Sequence, residues 1–179
     1  GTELFNKNGV FYSRRIGEDG RLINASKVSG RLANGLGLGL LQAFATANED
    51  SSLTSYTVAV ADQNLPNNGY VTSTTTMVAR EGDGYDALVQ SGSLELRNPE
   101  NTWSVQARGS VNQKFGGDEE NDDEGYTYNV ALSKMAGNLT FSLGHFLESA
   151  TYDPNDLGFL QAPNEIGSFL NVDFRVFEP

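Results

Sequence analysis

The chain has 179 residues, enough for one domain of ordinary size, and its 12 Lys and Arg against 23 Asp and Glu give a formal net charge of −11. That sign repels phosphate backbones and argues against nucleic-acid binding. The absence of cysteine removes disulfides, zinc–thiolate sites, iron–sulfur clusters and cysteine nucleophiles.

Hydrophobic residues other than glycine make up 38%, while glycine reaches 20 residues and aromatics 10%. A disordered chain is poorer in aromatics. The combination fits strands with one apolar and one polar face. The uncharged stretch 32–48 is 17 residues long and is interrupted by Gly35, Gly37, Gly39, Gln42 and Thr46. A transmembrane helix wants about 20 mainly apolar residues, so none is expected here. The chain opens Gly1-Thr2-Glu3 without Met or signal segment and closes at Pro179 on what reads as a live strand, so a section of a longer protein is expected.

Period-two alternation recurs down the chain and predicts nine strands. The first spans 22–30. The second, 36–47, sets Leu36, Leu38, Leu40 and Phe44 against Gly37, Gly39, Ala43, Ala45 and Ala47. The third, 56–63, sets Tyr56, Val58 and Val60 against Thr57, Ala59, Ala61 and Gln63. Strands over 70–80 and 87–97 follow, the latter with Leu88, Leu94 and Leu96 in phase. The clearest is 102–115. Trp103, Val105, Ala107, Val111 and Phe115 share one face there, and Gln106, Arg108, Asn112 and Lys114 the other. Three more cover 126–135, 139–147 and 166–176. No stretch carries a helical stripe.

The connections alternate in length. Short turns are predicted at Ala33-Asn34-Gly35, Pro66-Asn67-Asn68-Gly69, Asn98-Pro99-Glu100-Asn101 and Ala136-Gly137-Asn138, where the residue types suit tight hairpins. Longer polar connections fall at 48–53, 81–85, 116–125 and 149–165. All short turns then lie at one end of an up-and-down meander, the asymmetry of bacterial outer-membrane barrels. Strands of 10–14 residues exceed the 5–6 usual in globular sheets and suit a tilted bilayer crossing. Tyr and Trp near strand ends match interfacial girdles. The fold class expected is therefore all-β: an antiparallel up-and-down meander of about nine long strands, part of a transmembrane β-barrel, with 1–179 as one barrel section and no second domain. The apolar faces would meet lipid, and Gln106, Arg108, Asn112 and Lys114 would face the lumen.

Few residues point to chemistry. Asp118, Glu119, Glu120, Asp122, Asp123 and Glu124 place six carboxylates in seven residues. Such oxygens suit Ca²⁺, but the spacing of a calcium-binding helix–loop–helix is missing, and a solvated outer loop is expected. One of Arg14 and Arg15 is expected to pair with a carboxylate such as Glu3 or Asp19. His145, the only histidine, is in phase with Leu143 and Leu147 and reads as a packing or interface residue. The glycines from Gly35 to Gly39 lie inside a strand and read as allowing close packing or curvature. Asp153 and Asp156 could form a glycosidase carboxylate pair. The competing role for Asp156 is an Asx-type turn. No nucleophile elbow, phosphate-cradling loop or metal cluster is recognised, and no cofactor is expected.

Three stretches carry a resemblance: Glu3-Leu4-Phe5-Asn6 with Gly9-Val10-Phe11-Tyr12-Ser13-Arg14-Arg15-Ile16-Gly17, then Asn24-Ala25-Ser26-Lys27-Val28-Ser29-Gly30-Arg31, then Tyr152-Asp153-Pro154-Asn155-Asp156-Leu157-Gly158-Phe159-Leu160. Together they resemble a family of Bacteroidota outer-membrane β-barrel domains of unassigned function, usually preceded by a family-nine-type carbohydrate-binding module. The resemblance spans nearly the whole chain in order and spacing. It implies the outer membrane of a Gram-negative bacterium and an association with glycan handling. It also implies that this chain, much shorter than the family barrel, is an early-to-middle section of one. No catalytic residues carry over with it. The expected partners are outer-membrane lipid, glycans and the remaining part of the same barrel. The role read from all this is membrane-embedded transport, passage or surface scaffolding without chemistry. The alternatives are a soluble all-β carbohydrate-binding module and a glycan-active hydrolase resting on Asp153 and Asp156.

Overall fold

A computed structural model describes residues 3–18, 20–47, 52–82, 84–117 and 124–176. The alternation becomes nine strands: β1 (Gly20–Arg31), β2 (Leu36–Ala47), β3 (Leu53–Asn64), β4 (Tyr70–Arg80), β5 (Asp86–Arg97), β6 (Trp103–Phe115), β7 (Glu124–Lys134), β8 (Leu139–Glu148) and β9 (Ile166–Phe174). They form one antiparallel sheet in sequence order, with no α-helix among the described residues. β1 and β9 each have one neighbour, so these nine strands form an open sheet rather than a closed barrel. β3 begins earlier than its alternation suggests, because Thr54 and Ser55 continue the ladder opposite Arg80 and Ala79.

Short turns gather at one end and long connections at the other. The short turns need left-handed backbone, supplied by Gly35 at φ 85°, Asn67 and Asn68 at 57° and 63°, Asn101 at 53° and Gly137 at 94°. Asn98 closes its turn by accepting the Thr102 and Trp103 N–H groups, each at 2.8 Å.

Residues paired directly across an antiparallel ladder share a face. One face is covered by two segments that lie outside the strands. The first of these is residues 3–18, of which residues 5–8 cross β2 to β5 at about one strand per residue. Phe5 lies on Gly39 of β2, where an added methyl would come within 2.9 Å of its ring. Lys7 holds Asp62 of β3 at 2.6 Å. Asn8 donates to Thr74 of β4 at 3.2 Å and accepts from Ser93 of β5 at 2.7 Å. Residues 149–160 cross the long-connection end as a strap. It is tied to β7 through Ser149 N–H to Tyr126 O at 2.9 Å, to β6 through Asp153 and to β4 through Asp156. The two segments meet where the Tyr12 N–H donates to Leu157 O at 2.7 Å.

The dry core lies between these segments and β2–β5. Phe5, Phe11 and Leu157 enter from above; Ala43, Ala45, Val58, Val60, Val78 and Ala87 line the sheet. Those sheet residues are small, which leaves room for the three large ones. The apolar side of β3, Tyr56, Val58 and Val60, therefore faces this core, and Thr57, Ala59, Ala61 and Gln63 face outward. That reverses the expected orientation of this strand. The reason is the covering segment, which converts a polar face into an apolar one locally.

The other face is open. Leu96, Val105, Leu132, Leu143 and Leu170 make one cross-strand row over β5–β9, each between 40% and 63% exposed. Between the exposed Leu38, Leu40 and Phe44 of β2 and Leu96 of β5, the open face carries a neutral polar patch whose groups bond to one another. Thr57 donates to Gln42 at 2.7 Å, Thr75 to Gln90 at 2.5 Å and Gln90 to Ser73 at 2.9 Å.

Asp62 has a fully buried carboxylate, held by Lys7 and Arg31 at 2.6 Å each and by Thr72 at 2.8 Å. Asp62→Ala should cost about 2 kcal/mol, since both cations are half-exposed and can turn to water. It should also expose residues 3–18 to trypsin at Lys7 under conditions where the native protein resists cleavage.

Candidate functional site

The covered face is where polar chemistry concentrates, and β6 carries most of it. Its alternation sets Ser104, Gln106, Arg108, Ser110, Asn112 and Lys114 on that face, opposite the exposed Trp103, Val105 and Val111. All four expected lumen residues thus share the covered face, but they divide into two groups. Lys114 bonds Asp153 at 2.7 Å, and Asn112 accepts the Asp153 N–H at 3.0 Å. These two anchor the strap. Asn112 Nδ2 is buried with no hydrogen-bond partner among the described residues. Gln106 and Arg108 lie beyond the strap and are exposed.

At the long-connection end, Tyr85 sits between two cations. Its ring is 4.7 Å from the Arg80 guanidinium and 5.1 Å from Lys114 Nζ. Arg80 in turn bonds Asp156 at 2.5 Å and the Tyr85 carbonyl at 2.8 Å. Burial and the Asp156 charge push the Tyr85 hydroxyl up, against the opposing pull of Lys114 and Arg80. Burial also raises the Tyr152 hydroxyl beneath the strap. Burial would raise Asp153 as well, but hydrogen bonds from Lys114 and Asn155 win and hold its carboxyl below the usual aspartate range. A cavity of about 760 Å³ opens beside this cluster, lined by Arg15, Glu18, Tyr56, Glu81, Tyr85 and Asn155 among others.

The remaining candidates resolve individually. Arg15 pairs with Glu18 at 2.7 Å rather than with Glu3, because the 3₁₀ turn at Ser13–Arg15 brings a nearer carboxylate round; its Nε reaches Gly158 O at 3.4 Å. Arg14 lies over the Tyr12 ring. Asp19 falls outside the described residues. The Asx-type turn belongs to Asp153, which accepts the Asn155 N–H at 3.0 Å; Asp156 is given over to Arg80 instead. Both members of the expected carboxylate pair are taken up in tying the strap to the sheet, Asp153 by Lys114 and Asp156 by Arg80. His145 is on the open face, bonded to Ser168 at 2.8 Å and 5.9 Å from the Tyr128 ring centre. Of the acidic run, Glu124 begins β7 and accepts from Gln113 at 2.8 Å. Asp118, Glu119, Glu120, Asp122 and Asp123 lie outside the described residues. Among the described residues, no three metal-competent side chains come together.

Asp62, Arg80 and Tyr85 were not anticipated from sequence. Asp62 did leave a signal, since it continues the Tyr56–Val58–Val60 phase as a carboxylate where an apolar residue was due.

These features define an all-β meander with one polar face partly covered by its own non-strand segments. The chain belongs to the family described as a domain of unknown function, DUF5916, which matches residues 18–179. No curated protein and no solved structure matches it.

Asp153 gives a pH test. Its folded carboxyl is held low, so its contribution is present above the ordinary aspartate value of about 3.9 and is lost as pH falls through the lower folded value. The melting temperature of the native protein should therefore drop at acid pH. Asp153→Asn should lower it already at neutral pH and flatten the acid fall; an unchanged acid profile in that variant would contradict the assignment.

Proposed function

We propose that this chain is a section of an outer-membrane β-barrel associated with glycan handling, serving as a membrane-embedded passage or surface scaffold. Its open face meets lipid. Its covered face lines a lumen that residues 3–18 and 149–160 partly fill. The observation that carries this reading is the row Leu96–Val105–Leu132–Leu143–Leu170, uncovered while polar residues are covered. A soluble sandwich places its faces the other way round.

Further features support it. Trp103 and Phe141 meet edge to face at 5.6 Å near the short-turn end, while Val111 and Tyr126 pair eight residues along β6. Eight residues span about 27 Å along a strand, or about 21 Å along the bilayer normal at a tilt of about 40°, close to the apolar band of about 25 Å. The neutral polar groups on the open face of β2–β5 bond to each other, which removes most of the cost of their facing hydrocarbon. The short turns would face the periplasm and the long connections the exterior. The glycan association comes from the resemblance of the three sequence stretches.

Val105→Arg should cost roughly 2–4 kcal/mol at mid-bilayer depth and deplete the protein from the outer-membrane fraction. Gln106→Arg, one residue along and on the covered face, should leave that fraction unchanged. Equal recovery of both variants would contradict the lipid-facing assignment.

A further inference from the structure

One row of paired residues runs across all nine strands on the covered face: Arg31, Gly37, Asp62, Thr72, Ser93, Arg108, Asn129, Phe146 and Gly167. Its first five members are occupied. Gly37 leaves the space through which Arg31 crosses β2 to Asp62, and Lys7 and Asn8 cover the stretch from Asp62 to Ser93. Beyond Ser93 no described segment lies over the row, which goes on for four strands, about 14 Å from Arg108 to Gly167.

That uncovered stretch has its own chemistry. Arg108 makes no hydrogen bond or ion pair with any described residue, whereas Arg31, Arg80, Arg97 and Lys114 on the same face each hold a carboxylate. Lys27, also on this face, lies over the Phe5 ring. The carboxylates of the face already have cations or lie away from the stretch: Asp62, in the row itself, is held by Lys7 and Arg31, and Glu95 stands opposite Gln106. Glu95 is bonded to Arg97, Asp173 to Arg175, and Glu148 stands beside the strap. Next to Arg108 are two amides, Gln106 on its own strand and Asn129 opposite it.

Beyond the amides lie two aromatic rings, each resting on a glycine of the adjacent strand. Phe169 pairs with Gly144, where a methyl would come within 2.3 Å of its ring; Phe146 pairs with Gly167, where the figure is 2.6 Å. The missing side chains let both rings lie down on the sheet instead of standing off it. Both remain partly exposed. The result is a low apolar floor beside two amides and one unpaired guanidinium.

We propose that this stretch binds a saccharide carrying an anionic group. The guanidinium would take a carboxylate or sulfate in a bidentate pair. Gln106 and Asn129 would bond hydroxyls, and the electron-rich faces of Phe146 and Phe169 would meet the C–H face of a sugar ring. A simple anion uses the arginine but not the rings, and an acyl chain uses the floor but not the amides. This rests on the lumen reading for how a ligand arrives, although the recognition chemistry does not depend on a membrane.

The test is calorimetric titration of the detergent-solubilised full-length protein with tetragalacturonate, maltotetraose and sodium sulfate. Tetragalacturonate should bind. Arg108→Gln should weaken it by about tenfold or more, the loss of a charge-assisted pair. Phe146→Leu, which keeps the apolar volume, should weaken it severalfold, with both variants melting like the wild type. Maltotetraose and sulfate should bind far more weakly. The proposal is overturned if tetragalacturonate does not bind, if Arg108→Gln binds it as the wild type does, or if sulfate alone matches it. Membrane recovery is read separately. Failure to bind in membrane-assembled protein overturns this inference alone, whereas binding by protein recovered in the soluble fraction upholds the site and overturns the lumen.

Discussion

Asp62 is the fastening between the sheet and what covers it. A fully buried carboxylate costs several kcal/mol unless its oxygens are satisfied, and here Lys7, Arg31 and Thr72 satisfy them from three separate parts of the chain. Lys7 brings residues 3–18 down onto β3, and Arg31 draws β1 in across Gly37. Phe5 can then reach Gly39, and Asn8 can reach the threonines and serines of β4 and β5. Removing the carboxylate loosens the segment that carries Phe5 and Phe11 over the small residues beneath them.

From that fastening follows the division of the molecule into two unlike faces. The covered face combines a small dry core over β2–β5, a charged cluster around Tyr85 at the long-connection end, and an unoccupied stretch over β6–β9. The open face keeps its large aliphatic side chains exposed. Burial in water runs in the opposite sense, with apolar side chains inside and polar ones out. An environment that is itself apolar removes the conflict, and this is the physical core of the membrane reading. The strap repeats the device of the covering segment at the other end, with Asp153 and Asp156 each held by a cation of the sheet.

The strands were legible because their information is local. Alternation over ten or so residues defines a strand and its two sides, and Asn and Gly mark turns that need left-handed backbone. The β6 residues Gln106, Arg108, Asn112 and Lys114 were placed together for that reason. What escaped was everything carried by distant contacts. Lys7 meets Asp62, Asn8 meets Ser93 and Arg15 meets Gly158 across 55, 85 and 143 residues of chain, and no local spacing encodes such pairs. The outward turn of Thr57 and Ala59 was missed for the same reason, because which side of β3 counts as inside depends on Phe5 and Phe11. The strap carboxylates stand out in the sequence, yet the turn expected of Asp156 falls to its neighbour in the loop. Asp153 makes the local turn, and Asp156 answers Arg80 from β4.

The central claim is that the open face lies against hydrocarbon, and Trp103, the one tryptophan of this chain, reports on it directly. The full-length protein would be reconstituted into vesicles whose lipids carry bromine on the acyl chains, with its fluorescence compared with that in unbrominated vesicles. The expected result is quenching by the brominated lipid and little quenching by aqueous iodide, with the quenched component absent from Trp103→Phe. Quenching of Trp103 by iodide but not by brominated lipid would place this face in water and contradict the account.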